Sequence, residues 1–170
     1  MKRIILILAT GLALAGCVAR SPDQQLGPDG QPIPVAYTIS GAEAAAIPSR
    51  VVEQVNILRS GSGNSPLTLD PALSAAAAAH SRDMAAQNRA WHFGSDGSSP
   101  LDRANRAGYS GQLIGENISE SYENDISTLQ AWMETRDTRD VIMDPSATAL
   151  GVAWYQEPSR KIWWTLITGK

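Results

Sequence analysis

At 170 residues, with a formal charge of −3 and a single cysteine, the chain excludes an intramolecular disulfide framework and lacks the basic excess that nucleic acid demands. Hydrophobic residues make up 43% of it, enough to bury one core, so stability has to come from burial.

Met1 to Cys17 has a basic start at Lys2 and Arg3, a short apolar run and small residues before the break. That is the pattern of a secretory signal, too short to be a spanning helix. Its ending, Leu14-Ala15-Gly16-Cys17, resembles the lipobox of bacterial lipoproteins, which implies cleavage before the cysteine and a diacylglycerol on its sulfur. Residues 1–16 are thus expected to be a lipoprotein signal peptide and Cys17 the lipidated residue. Cleavage removes Lys2 and Arg3 and moves the formal charge from −3 to −5. Val18 and Ala19 stand where an inner-membrane retention signal would carry aspartate, so the same resemblance implies the outer membrane, on its periplasmic side. The membrane is then a partner through the N-terminus.

Residues 17–46 read as a flexible tether rich in Pro, Gly, Gln, Ser and Asp, with too few apolar residues to offset ordering entropy. Residues 47–170 fit one domain. Ser49 is expected to cap a first helix with Val51, Val52, Val55 and Leu58 on one face and Gly61 at its end. Asp70-Pro71 opens a second with the stripe Leu73, Ala77, His80 and Met84, which makes His80 a core residue of the fold. Ser99-Pro100 starts a third, shorter helix, and Asp125 is expected to cap a fourth with Ile126, Leu129, Trp132 and Met133 inward.

Strand signals are interleaved with these. In Leu113 to Ser119 the period of two puts Ile114, Glu116 and Ile118 on one face, which sets a carboxylate among apolar neighbours. Ala149 to Gln156 and Ile162 to Thr168 read as an antiparallel hairpin about the turn Glu157-Pro158-Ser159-Arg160. Helices first and a hairpin last argue for an α+β layered architecture rather than a doubly wound one.

Five segments, in this order, resemble the bacterial branch of the CAP superfamily of SCP-like domains: Leu67-Thr68-Leu69-Asp70; Ala79-His80-Ser81-Arg82-Asp83-Met84-Ala85; Asp96 to Arg103 with Ala107-Gly108-Tyr109; Gly115-Glu116-Asn117-Ile118; and Trp132 with Arg139 and Ile142-Met143. The resemblance runs from about Ile47 to Lys170 and implies a three-layer α-β-α sandwich with a central antiparallel sheet and a cleft across it. In many such domains two histidines and two glutamates share that cleft, sometimes around a divalent metal, so zinc is the cofactor the resemblance allows. By matching motif, His92 resembles the first cleft histidine and Glu116 the first cleft glutamate. Glu134 falls one residue out of step with the second glutamate. Thr138 and Trp163 stand where histidines occur in other members. Arg139 resembles a structural brace.

The candidate site is therefore His92, Glu116 and Glu134, with His92 and Glu116 as the catalytic or metal-ligating candidates. A buried carboxylate needs a partner, and His92 is the natural one; the alternative for Glu116 is a structural carboxylate accepting backbone N–H bonds. Two ligands fall short of the three that catalytic zinc usually takes. A Ser81–His92–Asp83 triad is discounted, because Ser81 lies mid-helix without a nucleophile elbow. Three readings follow: a cell-envelope module binding a lipid, glycan or protein ligand through the cleft; a His/Glu-dependent, optionally metal-assisted hydrolase of envelope polymers or peptides; or an inert spacer. The fold does not choose among them.

Overall fold

The computed structural model describes residues 36–170; the signal, Cys17 and most of the tether lie outside the described residues. The element order is α1 (Gly41–Gly61), β1 (Thr68–Leu69), α2 (Pro71–Gln87), α3 (Pro100–Arg106), β2 (Leu113–Ser121), α4 (Asp125–Glu134), α5 (Arg136–Met143), β3 (Ala149–Gln156) and β4 (Ile162–Gly169). The sheet order is β1-β3-β4-β2.

Alternation along β3 and β4 makes two cores. Leu150, Val152, Ile162, Trp164 and Leu166 face Ile47, Val51 and Val55 of α1, Leu129 and Trp132 of α4, and Ile142 of α5. Ala153 and Ile167 face Leu73, Ala76 and Ala77 of α2 and Ala104 of α3. Trp163 and Trp164, adjacent in β4, are both fully buried on opposite faces. Burying each such aromatic stabilises the fold by roughly 2–3 kcal/mol. On the α2 face the sheet needs little side chain: a Cβ at Gly151 would lie 2.2 Å from the Leu73 backbone carbonyl carbon, so only glycine lets α2 rest directly on β3.

The α+β sandwich has the expected hairpin and four of its helices close to their expected places. The differences are local. Helix α1 begins at Gly41, capped by Ser40, and runs through Pro48, where the sequence placed its start at Ser49. A proline inside a helix costs about 3 kcal/mol; opposing that are complete burial of Ile47 and the ion pairs of Arg50 with Glu43 and Asp125. The expected boundary between residues 46 and 47 falls within this helix. Asn124, not Asp125, caps α4, its side chain accepting from the Ser127 N–H. The sheet is mixed rather than wholly antiparallel, because the short β1 pairs in parallel with β3.

A register shift in β2 between Leu113 and Gly115 matters most. It breaks the period of two, so Ile114 packs with the α1 and α4 core while Glu116 stands opposite Ile167 on the α2 face. The expected shared face of Ile114 and Glu116 is thus wrong by one bulge.

Candidate functional site

Glu116 leaves β2 toward α2 and α3, and its side chain is only 1% exposed. Oε2 accepts from Nη2 of Arg103 at 2.7 Å. Oε1 lies 3.0 Å from Nδ1 of His92 and 3.7 Å from Nε2 of His80. A carboxylate paired with a guanidinium is an acceptor, so His92 donates through Nδ1–H, and its Nε2 is left for solvent or ligand. The His92 side chain is 50% exposed. The site therefore has a buried charged base and one imidazole presented outward.

Arg103 ties these parts together. Helix α3 begins with a capping box between Ser99 and Asp102, which puts Arg103 one turn in and pointed at β2. Its Nη1 donates to the backbone carbonyls of His92 and Ser98, each at 3.0 Å. The loop from Asn88 to Ser99 is pinned again by Asp83, which accepts from the N–H and hydroxyl of Ser95 at 2.8 and 2.6 Å. Burial alone would raise the Asp83 carboxyl, but the Ser95 bonds overcome it and hold it below the ordinary aspartate range. Asn88, in left-handed conformation at φ 49°, ends α2 and turns the chain into this loop. Gly94 leaves room within it, since a Cβ there would meet the Ser98 hydroxyl at 2.5 Å and push that side chain aside.

The structure brings together His92 and Glu116 and adds two residues. His80 lies on the apolar face of α2, as its stripe implies, yet neither ring nitrogen makes a well-formed hydrogen bond to a described residue, only a weaker polar contact with the Trp91 backbone. It points at the cleft carboxylate rather than being a satisfied core histidine. Burial holds it below the ordinary imidazole range, against the pull of Glu116 and with the help of Arg103. Arg103 was legible only as part of the Asp96 to Arg103 motif; its buried place in the last turn of a short, well-capped helix was the signal available. Glu134 does not join them. It is exposed at the end of α4, on the other side of the sheet, beside a groove of about 530 Å³ lined by Ile57, Leu58, Ile126 and Met133.

Thr138 serves the α4–α5 junction, its hydroxyl donating to the Trp132 carbonyl and its own carbonyl accepting from Asn117. Trp163 is sealed in the core, its indole N–H donating to Glu157. Arg139 is half-buried, with a single bond to the Met133 carbonyl. The deeper brace is Arg59, fully buried and donating to the carbonyls of Ser65, Ile142, Asp144 and Ala147.

The donor set does not fit zinc. Three protein ligands with a deprotonated face toward the ion are needed, whereas here a guanidinium occupies one carboxylate oxygen and a ring N–H the other. Among the described residues no group of three His, Cys, Asp or Glu side chains is placed to hold a metal ion.

A sheet covered on both faces by helices, with a Glu–His pair set against a glycine-bearing loop, fits the architecture of an SCP-like domain. The chain belongs to the CAP family, the cysteine-rich secretory protein family, whose pattern matches residues 52–167. It is 32% identical over 133 residues to the uncharacterised protein YkwD of Bacillus subtilis, covering 78% of this chain and 51% of that one. The chain thus spans about half the length of the curated relative it matches. Its fold is similar to an SCP-domain extracellular protein of Bacillus anthracis, at 24% identity and TM-score 0.68, over 79% of this chain and 45% of that one. It is similar also to an outer surface protein of Borrelia burgdorferi, at 15% identity and TM-score 0.68, over 80% and 98% of the two chains.

Proposed function

We propose that this CAP protein is a lipid-anchored module of the cell envelope that binds its ligand through the cleft beside His92 and Glu116. One observation carries the reading: a buried Arg103–Glu116 pair spends its hydrogen bonds on fixing an exposed imidazole and the loop that bears it. Preorganised, outward-facing polar groups on a rigid scaffold are what a binding site needs. The extracellular and outer-surface relatives support an envelope location, and Cys17 in its lipobox-like setting supports the anchor.

The hydrolase reading loses Glu116 as its proton donor. A general acid or base must exchange a proton with substrate, and both oxygens of Glu116 are engaged within the protein. A lipid ligand is favoured by a different feature, the α1–α4 groove, where Ile57 is 57% and Leu58 38% exposed; that version predicts dependence on Leu58 instead of His92.

The test is crosslinking of the full chain in intact cells, followed by lipid extraction. An envelope component should co-purify with the wild type and fall at least about tenfold in a His92→Ala, Glu116→Gln variant, as loss of a central anchor implies. Equal recovery from both would overturn the reading. Cys17→Ala should release the chain from the membrane fraction.

A further inference from the structure

Two residues flanking His92 are unused by the cleft described so far. Trp91 is 41% and Phe93 47% exposed, with ring centroids 5.7 Å apart and planes tilted by 43°. Large aromatic rings left in water on a mobile loop would need no explanation, but this loop is held by Arg103, by Asp83 and by its own Gly94–Ser98 bond of 2.8 Å. Its backbone is held while each of the two aromatic residues keeps over two-fifths of its surface in solvent.

The polar groups around the rings define what lies on them. The Arg89 guanidinium stands 4.1 Å from the Trp91 ring centroid and makes no ion pair with a described residue, so its N–H groups call for acceptors. His92, between them in sequence, has Nε2 left to accept a hydrogen bond from a hydroxyl, because Nδ1 is committed to Glu116. A ligand for this patch has flat C–H faces for the rings, hydroxyl donors for the imidazole and carbonyl or hydroxyl acceptors for the guanidinium. A sugar chain carrying acetamido groups meets all three demands. An acyl chain does not: the rings are open to solvent instead of lining an enclosed channel. An anionic bilayer surface is disfavoured by the chain's own net negative charge, −3 for the full sequence and −5 after the expected cleavage.

We infer that Trp91, Phe93 and Arg89 form a glycan-binding platform that, with His92, takes an N-acetylated sugar chain of the envelope. This rests on the cleft reading above and names its ligand class. Sugar rings stack on Phe93 and the accessible part of Trp91, an acetamido carbonyl accepts from Arg89, and a ring hydroxyl donates to His92 Nε2.

The test titrates the full chain in non-ionic detergent with tetra-N-acetylglucosamine, following indole fluorescence and its quenching by acrylamide. Trp132, Trp163 and Trp164 are buried and Trp154 is only partly exposed, so in a Trp154→Phe background quenching reports chiefly on Trp91. The expected result is saturable binding that shields Trp91 from acrylamide. Affinity, read by calorimetry because Trp91→Ala removes the reporting indole, should fall about tenfold or more in Trp91→Ala and in Phe93→Ala and be kept in Phe93→Tyr, as loss and retention of ring stacking imply. Absence of binding, or binding indifferent to both alanine variants, overturns the platform. Ring-dependent binding to anionic phospholipid vesicles with none to the sugar overturns it in favour of a membrane surface. If His92→Ala abolishes envelope capture while the sugar never binds, the platform falls and the cleft stands. If the sugar binds through the rings but His92 is dispensable everywhere, the platform stands and the cleft falls.

Discussion

The two faces of the sheet each bury an arginine, and the two are satisfied in opposite ways. On the α1 side Arg59 meets only backbone carbonyls, two of them at the end of α5, and burial lowers its pKa. On the α2 side Arg103 meets a carboxylate as well as two carbonyls of a loop that carries exposed residues. The first arrangement closes a structure on itself; the second fixes a surface for something else to touch. A buried ion alone does not mark a site. What distinguishes Arg103 is that its partners end in a half-exposed histidine.

The largest expected effect breaks the comparison at Arg59. Arg59→Met should cost about 4 kcal/mol in urea denaturation, because four carbonyls lose their donor together, and no second side-chain change can restore them. A loss below about 1 kcal/mol would contradict its role as brace. Arg103→Met should cost about 3 kcal/mol by leaving Glu116 charged and unpaired in the interior. Adding Glu116→Leu should recover most of that, since removing both charges removes the uncompensated one. A double variant no more stable than the single would show that Arg103 acts through its carbonyls, like Arg59.

A smaller effect sharpens the α2 side by pH. His80 has a folded pKa below the ordinary imidazole value of about 6.5, owing first to burial. The unfolded chain then binds this proton more readily than the folded one. The stability His80 supplies is present above pH 6.5 and is lost as the pH falls from 6.5 through the lowered folded value, at up to about 1.4 kcal/mol per pH unit. Thermal unfolding between pH 7 and 5 should show this decline, and His80→Gln should flatten it. An unchanged slope in that variant would remove His80 from the account. Smaller still, Gly94→Ala should cost about 1 kcal/mol by displacing Ser98 and Asp96 in the loop. If it left stability untouched, the loop would not be the rigid support described.

Much of this was legible from residues whose signals are local. Asp70-Pro71 and Ser99-Pro100 open helices because capping and the proline φ act within one turn. The hairpin of β3 and β4 follows from alternation. What escaped the sequence depends on partners far away. Pro48 reads as a helix boundary until the buried Ile47 and the Arg50 pairs are known. The bulge after Leu113 turns Glu116 away from Ile114, and the period of two carries no trace of it. Glu134 stands one residue out of step with the second glutamate that the resemblance implies, yet α4 packs on the face that Glu116 leaves. His80 is buried on the apolar face, as its stripe implies, but without the hydrogen bonds expected of a core histidine; the same stripe points at Glu116, so core position and site position coincide there.

The central claim is that ligand is held on the α2 face, not in the groove of the α1 face. Capture of the purified full chain by isolated envelopes, compared for His92→Ala and Leu58→Ala, tests it most directly. The account predicts at least about a tenfold loss for His92→Ala and wild-type capture for Leu58→Ala. Loss with Leu58→Ala and wild-type capture with His92→Ala would contradict it.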